Sequence, residues 1–123
     1  TLKNIESFEL KSDFDAIENV IYTTPMDYFT FQKMLSKSYG VITDSGGIQE
    51  ETTFLNVPCV TLRDNTERPV TIDLGTNTLL DFDPPKGIET INKIQNESGQ
   101  KPPLWDGMSS ERIVQNIEDV LAS

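Results

Sequence analysis

The step Ser45-Gly46-Gly47, entered from the apolar run Val41-Ile42-Thr43 and followed by Ile48, Glu51, Thr52 and Leu55 at helical spacing, is the part of this chain best suited to chemistry. A strand that breaks straight into a helix leaves the first helical amides without intrahelical acceptors and at the positive end of the helix dipole, so an anion is stabilised there. Glycines at that point let the backbone approach a pyrophosphate with no Cβ in the way. The Ser45 hydroxyl can add a donor. The same residues also admit a plain structural use, with Ser45 as an N-cap and the glycines as a tight turn. Glu51 falls one turn into the helix, where its carboxylate can accept bonds from two ribose hydroxyls. An acidic residue near a helix start is also favoured by the dipole alone, and the adjacent Glu50 fits that use.

A charged loop, Leu62-Arg63-Asp64-Asn65-Thr66-Glu67-Arg68-Pro69, follows the next apolar run. Arg63 and Arg68 are two of only ten basic residues, and their forked donors suit phosphate oxygens. The alternative is that they pair with Asp64 and Glu67 and pin the loop. Gly75-Thr76-Asn77 reads as a second turn whose amides and hydroxyl could face the same phosphates.

These residues need a scaffold, and the hydrophobic pattern supplies one. Val20-Ile21-Tyr22-Thr23, closed by Pro25, reads as a first strand. Asp27 caps a helix carrying Tyr28, Phe31, Met34 and Leu35, which ends near Ser38-Tyr39-Gly40; by periodicity Phe31 is a core residue. Val41–Thr43 and Cys59–Leu62 read as further strands, Thr78-Leu79-Leu80 as a short fourth. Helical patterns cover Pro84–Asn96 and the stretch opened by Ser109 or Ser110, with Ile113, Ile117, Val120 and Leu121 on one face. Arg63–Asn77 reads as irregular, and Gly99–Pro103 as the one plausible linker. Short strands alternating with helices predict an α/β domain, a Rossmann-like parallel sheet with helices on both faces and ligands at the carboxyl ends of the strands. Residues 1–18 are polar, read as one short helix with an irregular lead-in, and are expected to be the remnant of a truncated domain, and residues 19–123 are expected to form a C-terminal, Rossmann-like nucleotide-binding domain.

Composition narrows the function. A net charge of −10 argues against nucleic acid and anionic membrane surfaces, which require clustered Lys and Arg. It leaves a local phosphate site open, because main-chain amides and one or two cations suffice. The absence of histidine excludes Ser-His-Asp, Cys-His and His-zinc chemistry within the chain, and the acidic residues have no metal-binding spacing, so neither metal nor cofactor is expected. The single Cys59 excludes an intramolecular disulfide and suits a cytoplasmic setting, and no apolar run reaches membrane-spanning length.

The run Thr43-Asp44-Ser45-Gly46-Gly47-Ile48-Gln49-Glu50-Glu51, then Leu62 to Pro69, then Gly75-Thr76-Asn77, and finally Trp105-Asp106-Gly107-Met108-Ser109-Ser110-Glu111-Arg112-Ile113 together resemble the non-hydrolysing UDP-N-acetylglucosamine 2-epimerases over roughly residues 19–121. The resemblance implies the C-terminal half of a GT-B arrangement. It implies that Ser45, Gly46 and Gly47 meet the pyrophosphate, Glu51 the ribose and Arg68 the phosphates, while Phe31 packs on uracil. It also implies interconversion of UDP-GlcNAc and UDP-ManNAc by elimination and re-addition of UDP, with acids and bases supplied by an N-terminal domain and a linker histidine outside this chain, so that no catalytic residue is expected within it and the isolated chain is inactive. The ligands so implied are UDP and UDP-N-acetyl sugars, and the parent is expected to be a homodimer. Two departures stand out: Val70 replaces the family's usual Glu after Thr-Glu-Arg-Pro, and Pro103-Leu104-Trp105-Asp106-Gly107 replaces Pro-Tyr-Gly-Asp-Gly. The alternatives are the UDP-sugar half of a GT-B glycosyltransferase and a bare interaction domain.

Overall fold

The computed structural model describes residues 2–95, 97 and 99–122. Helices α1 (Leu2–Ser7), α2 (Lys11–Asp15) and α3 (Tyr28–Leu35) precede strand β1 (Val41–Thr43). Then come α4 (Gly46–Leu55), β2 (Cys59–Thr61), α5 (Val70–Asp73), β3 (Asn77–Leu79), α6 (Pro84–Ile94) and α7 (Ser109–Ala122). The strands form a three-stranded parallel sheet in the order β1-β2-β3, with Val41 level with Cys59 and Asn77, and Thr43 level with Thr61 and Leu79.

The central strand explains the layering. All of β2 is buried, as a parallel strand covered on both faces must be. Cys59 and Thr61 face α4: the Cys59 thiol is pushed up by burial and drawn partly back by the hydroxyls of Thr52 and Thr61. Val60 faces the other way, where a Cβ on Gly87 of α6 would lie 3.8 Å from its side chain and 3.7 Å from that of Ile42. Helices therefore cover both faces, as the alternating pattern predicts.

Local rules set the helix ends. Asp27 caps α3 by accepting from the Thr30 amide at 3.1 Å, which is the expected N-cap geometry. Asn56 ends α4 in the left-handed region at φ 55°, a conformation Asn tolerates better than most residues.

Four local expectations are corrected. Val20–Thr23 is not a strand: Ile21 is 87% exposed, and the Tyr22 ring meets Phe14 of α2 edge-on at 6.0 Å instead of joining the sheet. β-Branched composition favours a strand only where a neighbour offers a ladder and a face to cover. The segment before β3 is not wholly irregular, because Val70–Asp73 forms α5 directly behind Pro69, whose fixed φ suits a helix start. Gly99–Pro103 is not a free linker either. The Gln100 amide donates to Leu74 O at 2.6 Å, Lys101 Nζ lies 4.4 Å from the Phe54 ring centre, and Pro102 is buried. The lead-in holds two short helices, α1 and α2, where one was expected.

Candidate functional site

The site forms where β1 and β2 end, because the parallel register sets their two exit loops side by side. The Leu62 amide donates to Thr43 O at 2.8 Å, so the Ser-Gly-Gly turn and the loop carrying Arg68 leave the sheet together. Gly46 and Gly47 are the first residues of α4, which starts two residues before Ile48, where the apolar pattern begins. Their amides lie in the first turn, where no intrahelical acceptor reaches them.

Several features of this turn go beyond what a tight turn requires. Ser45 occupies the N-cap position, yet its side chain makes no capping bond; its backbone N–H donates instead to Thr43 Oγ1 at 3.0 Å. Gly47 does not have a positive φ, and a Cβ built there meets nothing within 4 Å. Neither conformation nor packing within the chain therefore demands glycine at 47. Gly46 differs, since its Cβ would lie 2.4 Å from Arg68 Nη1. The guanidinium thus sits on the helix N-terminus and adds its charge to the unpaired amides.

Carboxylates surround Arg68. Its Nη1 donates to Glu67 Oε2 at 3.1 Å, and its Nε lies 3.0 Å from Glu50 Oε2 without an aligned hydrogen bond, a charge contact. Glu50 first, and then Glu67, raise the Arg68 pKa further, so it is a permanent cation. Pairing with Glu67 matches the loop-pinning alternative, but Glu50 on α4 also holds the arginine across the helix start. Arg63 goes elsewhere: with Asp64, Asp81, Asp83 and Lys86 it lines a separate hollow beyond β2 and β3. Only one of the two expected arginines therefore reaches the seat.

Glu51 sits half-buried on α4, and its Oε2 is buried without a hydrogen-bond partner. Phe31 is half-buried and lines an open cleft of about 390 Å³ with Met34, Leu35, Thr43 and Ile48. That cleft runs from α3 to the first turn of α4. Phe31 therefore stands at the cleft wall and is not one of the buried core residues, contrary to what its periodicity predicts.

The Gly75-Thr76-Asn77 turn is not part of this seat. Gly75 and Thr76 precede β3 at its amino end, where Gly75 packs on Thr53 near the far end of α4, and Asn77 is buried. Ligand seats in such sheets form at the carboxyl ends.

Sequence reading missed a buried polar layer below the seat. Gln49, Thr61 and Thr71 are fully buried and Asn77 is 4% exposed. Gln49 Oε1 accepts from Thr66 Oγ1 at 2.6 Å and from Asn77 Nδ2 at 3.2 Å, while Asn77 Oδ1 accepts from Thr61 Oγ1 at 2.7 Å. Polar residue types read as surface by default, so only their placement between apolar neighbours could have hinted at this layer.

Further along, Asp106 accepts from the Met108 amide at 3.0 Å and pairs with Arg112, closing the turn into α7. Gly107 there has φ 86°, which favours glycine. The Arg112 guanidinium, then the Met108 amide, hold the Asp106 carboxyl down at about 2. Among the described residues no group of three or more His, Cys, Asp or Glu is arranged to hold a metal, and no helix is long and apolar enough to cross a membrane.

Residues 4–118 match the model of the family described as UDP-N-acetylglucosamine 2-epimerase. The chain belongs to this epimerase family. It is 37% identical over 115 residues to the UDP-N-acetylglucosamine 2-epimerase of Methanocaldococcus jannaschii, covering 93% of this chain and 31% of that protein. The Salmonella typhimurium epimerase is 34% identical, with 87% of this chain and 30% of that protein covered. The structure of the M. jannaschii epimerase in complex with UDP-GlcNAc and UDP superposes with TM-score 0.83 at 35% identity, over 96% of this chain and 33% of that one. The Neisseria meningitidis epimerase bound to UDP-GlcNAc gives TM-score 0.76 at 30% identity, over 89% and 32%. The chain thus spans about a third of the length of these relatives. The fold class stands as expected, a Rossmann-like parallel sheet from the C-terminal half of a GT-B arrangement, and the glycosyltransferase alternative gives way to the epimerase family.

Proposed function

We propose that this chain holds the UDP part of a UDP-N-acetyl sugar, as the nucleotide-binding portion of an enzyme that interconverts UDP-GlcNAc and UDP-ManNAc. The observation that carries the reading is Gly47: a glycine at a helix start that neither backbone conformation nor neighbouring atoms require, next to Arg68 and the uncommitted Ser45 hydroxyl. A diphosphate fits that opening, with oxygens on the first α4 amides and on Arg68. Glu51 Oε2, buried and unpartnered, accepts from the ribose, and Phe31 packs on the uracil from the cleft wall.

In the reaction a proton leaves C2 of the sugar and the bond from C1 to the diphosphate oxygen breaks, giving a glycal and UDP. UDP then adds back with the proton returned to the other face of C2. The residues described above perform no proton transfer. Their part is to stabilise the charge gathering on the departing diphosphate and to keep UDP in place until it re-adds, which is electrostatic and positional catalysis. The acids and bases come from an N-terminal domain of the same protein, residues 19–123 being the nucleotide-binding domain. The parent acts as a cytoplasmic homodimer.

Titrating the folded chain with UDP in a calorimeter tests the reading. Saturable binding that competes with UDP-GlcNAc is expected. A folded sample giving no saturable heat at millimolar UDP would sink it and leave a domain in which Ser-Gly-Gly is only a turn.

A further inference from the structure

The backbone of Arg68 is gripped on both sides by threonine hydroxyls. Its N–H donates to Thr66 Oγ1 at 3.1 Å, and its carbonyl accepts from Thr71 Oγ1 at 2.8 Å. Because Thr66 Oγ1 accepts from Arg68, its own proton must go elsewhere, and it goes to Gln49 Oε1 at 2.6 Å. Thr71 Oγ1, having given its proton to the Arg68 carbonyl, accepts from Asn77 Nδ2 at 3.3 Å. Both threonines therefore end on the same buried amides, and these are joined through Asn77 Nδ2 to Gln49 Oε1 at 3.2 Å.

Asn77 is fully engaged in this arrangement. Its two amide protons go to Gln49 and Thr71 and its carbonyl accepts from Thr61 of β2, so its orientation is fixed by three elements. Gln49 lies on α4 one turn below Gly46, at 0% exposure. Its Nε2 is buried without a partner. An apolar residue of similar size would fill this core position without stranding a donor. The cost is understandable if the acceptor side of Gln49 has a task.

We infer that Gln49 and Asn77 are positioning residues, a buried amide pair that aims Arg68 over the first turn of α4 through Thr66 and Thr71. The pair links α4, which carries the amides of the diphosphate seat, to the loop that carries its cation, so the two halves of the seat keep a fixed separation. A buried hydrogen-bond network fixes direction in a way that a loop held by the exposed Arg68–Glu67 contact does not. This inference rests on the function proposed above.

The test is a double-mutant cycle read by UDP affinity in the full-length protein that carries this chain. Thr66→Val keeps the shape of the side chain and removes the hydroxyl. It is expected to weaken UDP roughly 3- to 10-fold, the effect of one lost, partly buried bond, and Thr66→Ser is expected to restore affinity. In an Arg68→Ala background the same Thr66→Val change is expected to have almost no effect, because the group it acts through is gone. Gln49→Met, checked for an unchanged circular-dichroism spectrum, should behave in the same way. Equal losses in both backgrounds would mean that Thr66 only supports the fold, and no loss in either would mean the clamp does not reach the ligand; each overturns the inference. If the parent protein does not bind UDP, or Arg68→Ala leaves affinity intact, the proposed seat itself is wrong.

Discussion

Arg68 lies across Gly46. A methyl group at Gly46 would stand 2.4 Å from Arg68 Nη1 and 3.0 Å from its Cζ, so the bare first residue of α4 is what lets the guanidinium settle on the helix start. The obstructing atoms belong to the far end of a flexible side chain, and the backbone need not move to relieve the contact. Gly46→Ala is therefore expected to leave the urea midpoint nearly unchanged while displacing Arg68. The measurable consequence is weaker UDP binding, by about 1–2 kcal/mol, as a charge-assisted contact is misaligned.

Gly47→Ala separates function from fold more sharply. With open space around the added Cβ and no positive φ to strain, the substitution costs the folded chain nothing and restricts the unfolded one. Stability should hold or rise by up to about 1 kcal/mol. UDP affinity should fall, because the methyl occupies the space proposed for the pyrophosphate. A variant both more stable and equally able to bind UDP would remove Gly47 from the site.

Arg68→Ala and Glu51→Ala address the charged and the ribose ends of the ligand. Each is expected to weaken UDP by roughly 1–3 kcal/mol, the range for bonds to charged groups that are shielded from water. Uridine, which lacks the phosphates, should distinguish them: its weaker binding should respond to Glu51→Ala and be indifferent to Arg68→Ala. Calorimetric titration with the two ligands provides the comparison.

Acid should loosen the entry to α7 before the rest of the chain. The Asp106 carboxyl is held down from 3.8 to about 2 by Arg112 and the Met108 amide. Its folded pKa lies below its unfolded one, so its stabilisation is complete above about pH 4 and is lost as pH falls towards 2. The Asp106→Asn variant should lack this acid-dependent step. Helical signal in circular dichroism, followed from pH 5 to pH 2 at fixed salt in both proteins, checks it.

Much of the site could be read without coordinates. Ser45, Gly46 and Gly47 announce a strand breaking into a helix, and the Leu62–Pro69 loop follows a second strand at a spacing that a parallel sheet must bring alongside. By residue type and loop position Arg63 and Arg68 are alike, and only the family resemblance singled out Arg68. The structure parts them, because Arg63 leaves β2 towards the hollow with Lys86, whereas Arg68 is returned to α4 by Thr66.

The strand expected at Val20–Thr23 failed because strand propensity is a response to neighbours, and Tyr22 found Phe14 rather than a sheet edge. Gly75-Thr76-Asn77 failed as a phosphate turn for a different reason: a turn can be recognised locally, but which end of a strand it occupies depends on the ladder.

The sequence by itself determined where strands give way to helices and where an anion could be received, since capping, glycine freedom and apolar period act over a few residues. Tertiary structure decided how Arg68 is set on the Gly46 helix and that Gln49 and Asn77 go inside. Hydrogen bonds such as Thr66 to Gln49, whose partners stand 17 positions apart in sequence, become possible only once the sheet has set two distant loops beside each other.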